Sequence, residues 1–239
     1  MKKLFQPISV RADVHRLSQE MFTKYLQPHD VVYDIGCGQK PFADFLRGKV
    51  KSHIGVDLAD GFYKPEHVDL IGSAYNVPVP DGCADAVISS QVIEHLETPL
   101  VAVAETHRIL KSGGLFFLSF PFLYPIHAQP RDFMRYTEFY LLQEIAADKF
   151  DVLEVKRIGG FWYIIGMYLC FYLQQFDRGL LRKLYVIKTM VAIFSFLFQM
   201  LHQCEGEVLR LFGKEESGFR SQWTVNYVYT LRKKKDAGI

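Results

Sequence analysis

The most informative stretch of the chain is residues 31–38, Val31-Val32-Tyr33-Asp34-Ile35-Gly36-Cys37-Gly38. Its apolar first half predicts a buried β-strand, which carries an aspartate near its end and leads into a turn with two glycines. Because glycine has no Cβ, such a turn can adopt unusual backbone angles and let a ligand approach the main chain. The pattern is typical of the loop between strand and helix in nucleotide-binding α/β proteins.

The kind of ligand follows from the residues around this turn. A dinucleotide-binding loop has a third glycine where this chain has Pro41. Asp34 would repel a pyrophosphate at this place and would favour a cation. The next apolar run, residues 53–56, ends at Asp57, about where an acid accepts hydrogen bonds from ribose hydroxyls in Rossmann-like sheets. S-adenosylmethionine has an ammonium, a sulfonium and a ribose but no phosphate, and it therefore fits both acids.

Four segments in order carry a resemblance to one family. They are the glycine turn at 31–38, residues 73–82, residues 84–96 with Gln91-Val92-Ile93-Glu94-His95-Leu96, and residues 110–119 with the turn Gly113-Gly114. On these segments the chain resembles the class I S-adenosylmethionine-dependent methyltransferases, in particular their ubiquinone/menaquinone-biosynthesis-like subgroup. The resemblance covers residues 28–157 and returns at 223–232.

The resemblance implies nine cofactor-binding residues. They are Asp34, Gly36, Cys37, Gly38, Asp57, Leu58, Ser73, Ala74 and Gln91. Ser73 departs from the family pattern, because many relatives have an acid there that bonds the adenine amino group. A hydroxyl can still accept that bond, although more weakly. Asp34 has a simpler interpretation as well, as a cap of the following helix.

The order of strands and helices predicts the fold. Apolar residues at helical spacing predict a helix over 11–26, which Pro28 ends. Strands are predicted near 31–35, 53–57, 67–71, 85–90, 114–120, 150–157 and 223–231. Their alternation with helices indicates a doubly wound sheet. We therefore predict an α/β fold with a Rossmann-like, seven-stranded, mostly parallel sheet, in which, by resemblance, the last two strands pair antiparallel.

The predicted domains include an unusual insertion. Residues 1–28 form an N-terminal cap helix, residues 29–160 and 213–239 form the methyltransferase domain, and residues 161–212 form an inserted apolar helical hairpin. Relatives usually have only a short connection between strands six and seven. The first half of the insertion has no charged residue up to Phe176, and it is rich in aromatic rings.

Three interpretations of the insertion compete. A membrane crossing needs about 20 predominantly apolar residues, but the first half is shorter and the second contains Lys188. Two crossings would also place Arg178, Arg182 and Lys183 on the far face, against the positive-inside tendency. We favour a hairpin that lies in the membrane interface. Packing on its own domain or on a second subunit is nearly as well supported, since large apolar patches also mark protein interfaces.

Composition narrows the class of protein. A hydrophobic share of 49% suits a globular protein, and a net charge of +2 carries no nucleic-acid signature. The cysteines, Cys37, Cys83, Cys170 and Cys204, lie far apart, which indicates free thiols in a reducing compartment. No His, Cys or acid cluster has metal-ligand spacing, and no secretory signal is evident. We expect a cytoplasmic protein, peripheral on the inner face of the membrane if the hairpin meets lipid, with no metal.

The loop after strand five, residues 121–137, should lie beside the cofactor. His127 could take a proton from an acceptor oxygen, or it could be a structural residue or a substrate contact. The resemblance raises the expectation of a role in the site for this loop. Residues that could bind an anionic or sugar-bearing acceptor are Arg131, Asp132, Arg135 and Tyr136. Asp132 and Arg135 have a simpler interpretation as an ion pair that closes the loop.

These observations favour one function over its alternatives. We expect a methyltransferase that moves a methyl group from S-adenosylmethionine to a small or amphiphilic acceptor, lipid-linked or saccharide, at oxygen. The first alternative is a non-catalytic protein of the same fold that docks on a membrane or partner through residues 161–212. The second is a methyltransferase of soluble metabolites or saccharides whose hairpin forms a dimer.

Overall fold

The structure is a computed structural model, and it describes residues 8–58, 65–213 and 222–235. The strands in these ranges are β1 (Val31–Ile35), β2 (Ser52–Asp57), β3 (Leu70–Ile71), β4 (Ala84–Ser90), β5 (Leu110–Pro121), β6 (Phe150–Gly159) and β7 (Thr224–Lys233). The α-helices are α1 (Val10–Tyr25), α2 (Ala43–Leu46), α3 (Pro99–Ile109), α4 (Glu138–Tyr140), α5 (Phe161–Gln174), α6 (Gly179–Lys183) and α7 (Val186–Leu211). Short 3-10 turns cover Pro65–His67 and Ile93–His95, and a π-helical turn covers Leu141–Ala146.

The strands form one seven-stranded sheet in the order β3-β2-β1-β4-β5-β7-β6. β1 pairs in parallel with β2 on one side and with β4 on the other, and the β2–β3 and β4–β5 pairs are parallel too. The predicted Rossmann-like, mostly parallel fold is therefore confirmed. The chain runs outward from β1 to β3 and then returns to the other side of β1, and such a reversal opens a crevice at the carboxyl ends of the strands.

The third strand differs most from its prediction. It was expected over 67–71, but only Leu70–Ile71 pair with β2. The preceding residues, Pro65–His67, form a 3-10 turn instead, which leaves little chain for a longer strand.

Both faces of the parallel strands are buried, which explains their apolar sequences. Every residue of β1 after Val31 is buried, and β4 is buried at all but its second and last residues. Large rings complete the core around β5, where Phe120 stacks on Tyr229 with the ring centroids 5.9 Å apart. Parallel strands covered on two sides need such continuous apolar runs, because water reaches neither face.

The chain's own contacts divide it into two compact units. One unit contains residues 14–156 and 227–239, and the other contains residues 1–13 and 157–226. The first unit holds β1 to β5, and the second holds α5, α6 and α7, which lie in the predicted insertion.

Within the second unit, α5 and α7 form a closely packed pair. A Cβ added to Gly166 of α5 would lie 2.4 Å from the Cβ of Phe198 of α7, so glycine permits this close approach. Nearby, Cys170 Sγ lies 3.3 Å from Ser195 Oγ. Many apolar side chains of the hairpin remain exposed, among them Tyr172, Ile193 and Phe196. Among the described residues, one helix has the length and the apolar composition that crossing a membrane requires, and this helix is α7.

The last turn of α1 is tied to β6 by charged hydrogen bonds. Lys24 Nζ donates to Glu154 Oε2 at 2.7 Å, and the hydroxyl of Tyr25 donates to the same oxygen at 3.0 Å. Lys156 Nζ lies 2.9 Å from the other carboxylate oxygen. Lys24, and then Lys156, lower the pKa of Glu154 to about 2.

We predict that Glu154→Gln lowers the free energy of unfolding by about 0.5–1 kcal/mol at pH 7. The folded pKa lies below the unfolded value of 4.5, so the stabilisation is complete above pH 4.5 and disappears as the pH falls toward 2. Thermal denaturation of wild type and Glu154→Gln between pH 7 and pH 2.5 measures the difference in their free energies of unfolding. Glu20→Gln, which removes a pair with Arg16 that is exposed on both sides, is the matched control. If the difference in the free energy of unfolding between Glu154→Gln and wild type is the same at all pH values, the stabilisation does not come from the charged form of Glu154.

Candidate functional site

A cavity of about 380 Å³ lies at the carboxyl ends of β1, β2 and β4. It is lined by Gly36, Asp57, Leu58, Gly72, Ser73, Ala74, Tyr75, Gln91, Val92, His95, Leu96, Glu97, Ala128, Arg131 and Phe133. Its volume is within the range of about 300–1,000 Å³ that small-molecule and cofactor sites have. Its place at the reversal of strand order is where ligands bind in open α/β sheets.

Asp57 is held in the cavity by two backbone donors. Gly38 N–H donates to Asp57 Oδ2 at 2.7 Å, and Leu58 N–H donates to Oδ1 at 2.7 Å. A carboxylate oxygen can accept more than one hydrogen bond, so each still has a lone pair for a ligand hydroxyl. This geometry fits a ribose diol, which would donate two hydrogen bonds to one carboxylate.

Gly36 closes the wall of the cavity beside this acid. Its φ is +70°, a left-handed conformation that disfavours side chains. A Cβ at this position would lie 2.6 Å from Cγ2 of Val92, which is closer than atoms pack. The turn therefore needs glycine for its backbone angles and for its contact with Val92.

Asp34 does not line the cavity. Its side chain is buried, and its Oδ2 lies 3.1 Å from Nε2 of His53 on the neighbouring strand. Burial raises the pKa of this carboxyl group, while His53 and Lys40 act in the opposite direction. The structure thus places Asp34 as a link between β1 and β2, beneath the glycine turn.

The other predicted cofactor residues divide into two groups. Leu58, Ser73, Ala74 and Gln91 line the cavity, whereas Cys37 and Gly38 do not. The Cys37 side chain is buried, and burial raises its pKa to about 12, so it is a packing residue and not a reactive thiol. Ser73 Oγ accepts the N–H of Tyr75 at 3.1 Å, and its hydroxyl can form a further bond with a ligand.

Gln91 occupies a strained position at the end of β4. Its φ is +58°, which is uncommon for a residue other than glycine. Its N–H donates to the backbone oxygen of Ser119 at 2.9 Å, and its Nε2 donates to Ser119 Oγ at 3.2 Å. Strain of this kind persists where the surrounding structure enforces it, and it is frequent at ligand sites.

The loop after β5 is closed by a partly buried ion pair. Arg135 Nη1 donates to Asp132 Oδ1 at 2.6 Å, and Nη2 donates to Oδ2 at 2.7 Å. This bidentate pairing with Arg135 lowers the pKa of Asp132 to about 2. Neither residue lines the cavity. The structure thus places the pair where the simpler interpretation of the sequence expected it, inside the loop.

His127 is oriented by the same aspartate. Its backbone N–H donates to Asp132 Oδ2 at 2.9 Å, and its ring Nδ1 lies 3.3 Å from that oxygen. The ring meets His95 edge-on, with centroids 5.0 Å apart. His127 is not part of the cavity lining, but Ala128 beside it and His95 against it are.

Arg131 and Tyr136 lie in different environments. Arg131 lines the cavity, and its backbone oxygen is 2.5 Å from Nδ1 of His95. Tyr136 is buried in the core, and its hydroxyl donates to the backbone oxygen of Ile93 at 3.0 Å. Tyr136 therefore supports the loop from within and does not reach the cavity.

Sequence spacing missed one cluster of chemically active groups. Glu94, His95 and His127 each bring a ligand-type atom to within 4.8 Å of the others, although no such cluster was expected. Glu94 and His95 belong to the segment 91–96 that carried the family resemblance. The pairing of β4 with β5 brings His127 to them, which no local pattern could reveal.

We predict that Asp57→Ala weakens binding of S-adenosylmethionine at least about 10-fold, because charge-assisted hydrogen bonds contribute about 1.5–3 kcal/mol each. Isothermal titration calorimetry measures the affinity, and circular dichroism checks the fold. Asp44→Ala, in an exposed pair with Arg47, is the control and should bind as wild type does. Unchanged affinity in Asp57→Ala would refute the assignment of Asp57 to the ribose.

Known proteins share this architecture and part of the sequence. Residues 33–118 match the family model described as "Methyltransferase domain". A protein of Mycolicibacterium smegmatis described as a probable S-adenosylmethionine-dependent methyltransferase is 28% identical over 134 residues, which are 48% of this chain and 51% of the relative. A malonyl-[acyl-carrier protein] O-methyltransferase of Serratia marcescens is 31% identical over 98 residues, 38% of each protein.

A solved structure extends the likeness to most of the fold. The crystal structure of the [4+2]-cyclase SpnF superposes with a TM-score of 0.56 at 18% identity, and the match covers 92% of this chain and 81% of SpnF. At this identity the likeness concerns the fold alone. The chain spans about half the length of the first curated relative and less of the second. Residues 33–118 are thus similar to a methyltransferase domain, and the first of these relatives is described as dependent on S-adenosylmethionine.

Proposed function

We propose that this protein is an enzyme that transfers a methyl group from S-adenosylmethionine to an oxygen atom of a small or amphiphilic acceptor. The observation that carries the proposal is the cavity at the carboxyl ends of β1, β2 and β4, with Asp57 on its wall and the His127 loop at its side. When bound, S-adenosylmethionine supplies a methyl group made electrophilic by its sulfonium.

The cavity residues fit the polar parts of this cofactor. Asp57 would accept hydrogen bonds from the ribose hydroxyls, and the hydroxyl of Ser73 would bond the adenine. Gln91, at the end of β4, would contact the cofactor or the acceptor. Asp34, buried beside His53, gives the glycine turn a rigid base.

The chain's part in the reaction is to orient the acceptor, exclude water and remove a proton. Methyl transfer is an in-line displacement, so positioning provides much of the acceleration. His127 is our candidate for the base, and Asp132 would hold its ring as carboxylates hold histidines in other active sites. Transfer to oxygen is further supported by the name of the Serratia marcescens relative, an O-methyltransferase.

Arg131 is the cavity residue best suited to hold an anionic or sugar-bearing acceptor. It lines the cavity, whereas Arg135 is bound to Asp132 and Tyr136 to Ile93. Asp132, Arg135 and Tyr136 would thus contribute to acceptor binding by shaping the loop that carries Arg131.

We propose further that the hairpin of α5, α6 and α7 lies on the inner face of the cytoplasmic membrane. Its tip presents exposed apolar side chains, Leu180 and Leu184, beside the cations Arg178, Arg182 and Lys183. Apolar groups next to basic ones suit an interface with anionic lipids. This location would favour a lipid-linked acceptor, while a dimer formed through the same surface would favour a soluble one.

A second candidate function departs from methyl transfer altogether, because a fold does not fix the function that it hosts. The corresponding alternative here is a non-catalytic protein that keeps the fold and docks on a membrane or partner through residues 161–212.

Methyl-labelled S-adenosylmethionine distinguishes these functions. Purified protein is incubated with the label and cell extract, and organic-soluble products are separated from aqueous ones. Label that enters an extracted product with wild type but not with Asp57→Ala supports the enzyme. Organic label favours a lipid or lipid-linked acceptor, and aqueous label favours a soluble one. Absence of transfer to every product, with cofactor binding intact, contradicts the proposal and supports the non-catalytic alternative.

We predict that His127→Gln lowers kcat about 100- to 10,000-fold, the usual contribution of a general base. Affinity for S-adenosylmethionine should stay within about twofold of wild type, because His127 does not line the cavity. His29→Gln, at an exposed site, is the control. A variant with wild-type kcat would exclude His127 as the base.

We predict that the double variant Leu180→Ser/Leu184→Ser binds anionic vesicles at least about 10-fold more weakly than wild type, since burial of each leucine contributes about 1.5–3 kcal/mol. These residues are 68% and 62% exposed. Flotation with phosphatidylglycerol vesicles measures binding, and Ile71→Ser, at a residue 67% exposed on β3, is the control. If the double variant floats with the vesicles as well as wild type does, the tip of the hairpin does not bind lipid. If the wild-type protein forms dimers and does not float, the hairpin surface is a dimer interface instead.

A further inference from the structure

Two neighbouring strand ends bring Glu94, His95 and His127 together. Glu94 and His95 belong to the 3-10 turn that follows β4, and His127 lies in the loop that follows β5. β4 and β5 are adjacent and parallel, so their carboxyl ends meet at the same edge of the sheet. One ligand-type atom of each residue lies within 4.8 Å of the other two.

Glu94 is the feature of this cluster that needs an explanation. Its side chain is completely buried, and neither carboxylate oxygen has a hydrogen-bond partner among the described residues. Buried polar groups without a partner are rare, because they lose their hydration and gain nothing in return. A buried carboxylate next to two imidazoles would find such a partner in a bound cation.

The two histidines are oriented as metal-ligating histidines usually are. His95 Nδ1 lies 2.5 Å from the backbone oxygen of Arg131, and because a carbonyl can only accept, Nδ1 carries the proton. Nε2 of His95 then keeps its lone pair, 3.8 Å from Glu94 Oε1. Hydrogen bonds from the second ring nitrogen to a carbonyl or carboxylate are the common support of metal ligands.

His127 has a comparable support. Its Nδ1 lies 3.3 Å from the backbone oxygen of Pro125 and 3.3 Å from Asp132 Oδ2, both of which are acceptors. Arg135 Nη2 is slightly farther away, at 3.4 Å. A proton on Nδ1 satisfies the two acceptors and leaves Nε2 available. The charges of Arg135 and Asp132 offset each other, so they do not repel a cation.

We infer that Glu94, His95 and His127 form a binding site for a divalent transition-metal ion of the kind that zinc represents. Two histidines and one carboxylate are a recurrent ligand set for zinc and for iron(II), and they leave at least one coordination position open. Ligand bonds of about 2.0–2.2 Å require the ligand atoms to approach by roughly 1 Å on binding. Because His95 also lines the cavity, an acceptor oxygen could occupy an open position.

The site itself does not depend on the proposed function, but its role in catalysis does. A bound ion would take the lone pair of His127 that serves as base in the metal-free enzyme. The ion would then activate the acceptor by lowering the pKa of its hydroxyl. The hydroxyl proton would go to solvent. The methyl group would move from the sulfonium sulfur to the same oxygen, so that the carbon–sulfur bond breaks as the carbon–oxygen bond forms and the neutral thioether, S-adenosylhomocysteine, leaves.

The test is zinc binding to the full-length, chelator-treated protein, with calorimetry as the readout and cobalt(II) absorption as a spectroscopic check. We expect one ion per chain. Loss of a residue that supports a metal ligand weakens metal binding about 10- to 100-fold. Glu94→Gln and His127→Gln remove the ligands themselves, so each should weaken zinc binding by more than that. Glu97→Gln, another acid of the same cavity, and His29→Gln, on the surface, should bind zinc as wild type does. Thermal denaturation without metal confirms that each variant folds.

The outcomes separate this inference from the proposed function. Failure of the wild type to bind zinc or cobalt(II), or equal affinity in Glu94→Gln and Glu97→Gln, overturns the site. Binding with the expected loss in both ligand variants supports the site even if no methyl transfer is found. Methyl transfer by a protein that binds no metal leaves the proposed function standing and removes the metal from it.

Discussion

The parallel pairing of β1 with β2 on one side and β4 on the other is the constraint on which the site depends. Because all three strands run in the same direction, their carboxyl ends meet at one edge, and the chain that leaves each strand must turn there. This pairing brings together the glycine turn after β1, Asp57 at the end of β2 and Gln91 after β4. A change in the strand order would separate them, although each lies in its own local motif.

The two aspartates near the glycine turn have different roles because they lie in different environments. Asp34 is the next-to-last residue of β1, and Asp57 is the last residue of β2. Asp34 is nevertheless buried against His53, whereas Asp57 is held open to the cavity by Gly38 and Leu58. The first stabilises the layer beneath the ligand, and the second is available to bind it. The same division applies to the loop after β5, where Asp132 fixes Arg135 and His127 while Arg131 remains at the cavity.

The hairpin poses a different physical problem. α5 and α7 pack closely against each other at Gly166 and Ser195, but much of their apolar surface remains exposed. Large exposed apolar surfaces mark sites of interaction with protein or membrane, and we propose lipid as the partner of this one. The cations beside Leu180 and Leu184 support this proposal, since an anionic surface would attract them while apolar residues enter it.

The sequence by itself determined the sheet, the position of the glycine turn and Asp57 as the acid of the second strand, because apolar periodicity, glycine and strand-end residues act within a few neighbours. It also located Leu58, Ser73, Ala74, Gln91 and Arg131, which line the cavity. Only the tertiary structure decided that Asp34 pairs with His53, that Tyr136 is buried and that Glu94 and His95 meet His127. These contacts join residues on different strands and loops, and their energies depend on burial and on distance in space, which no local pattern of residues records.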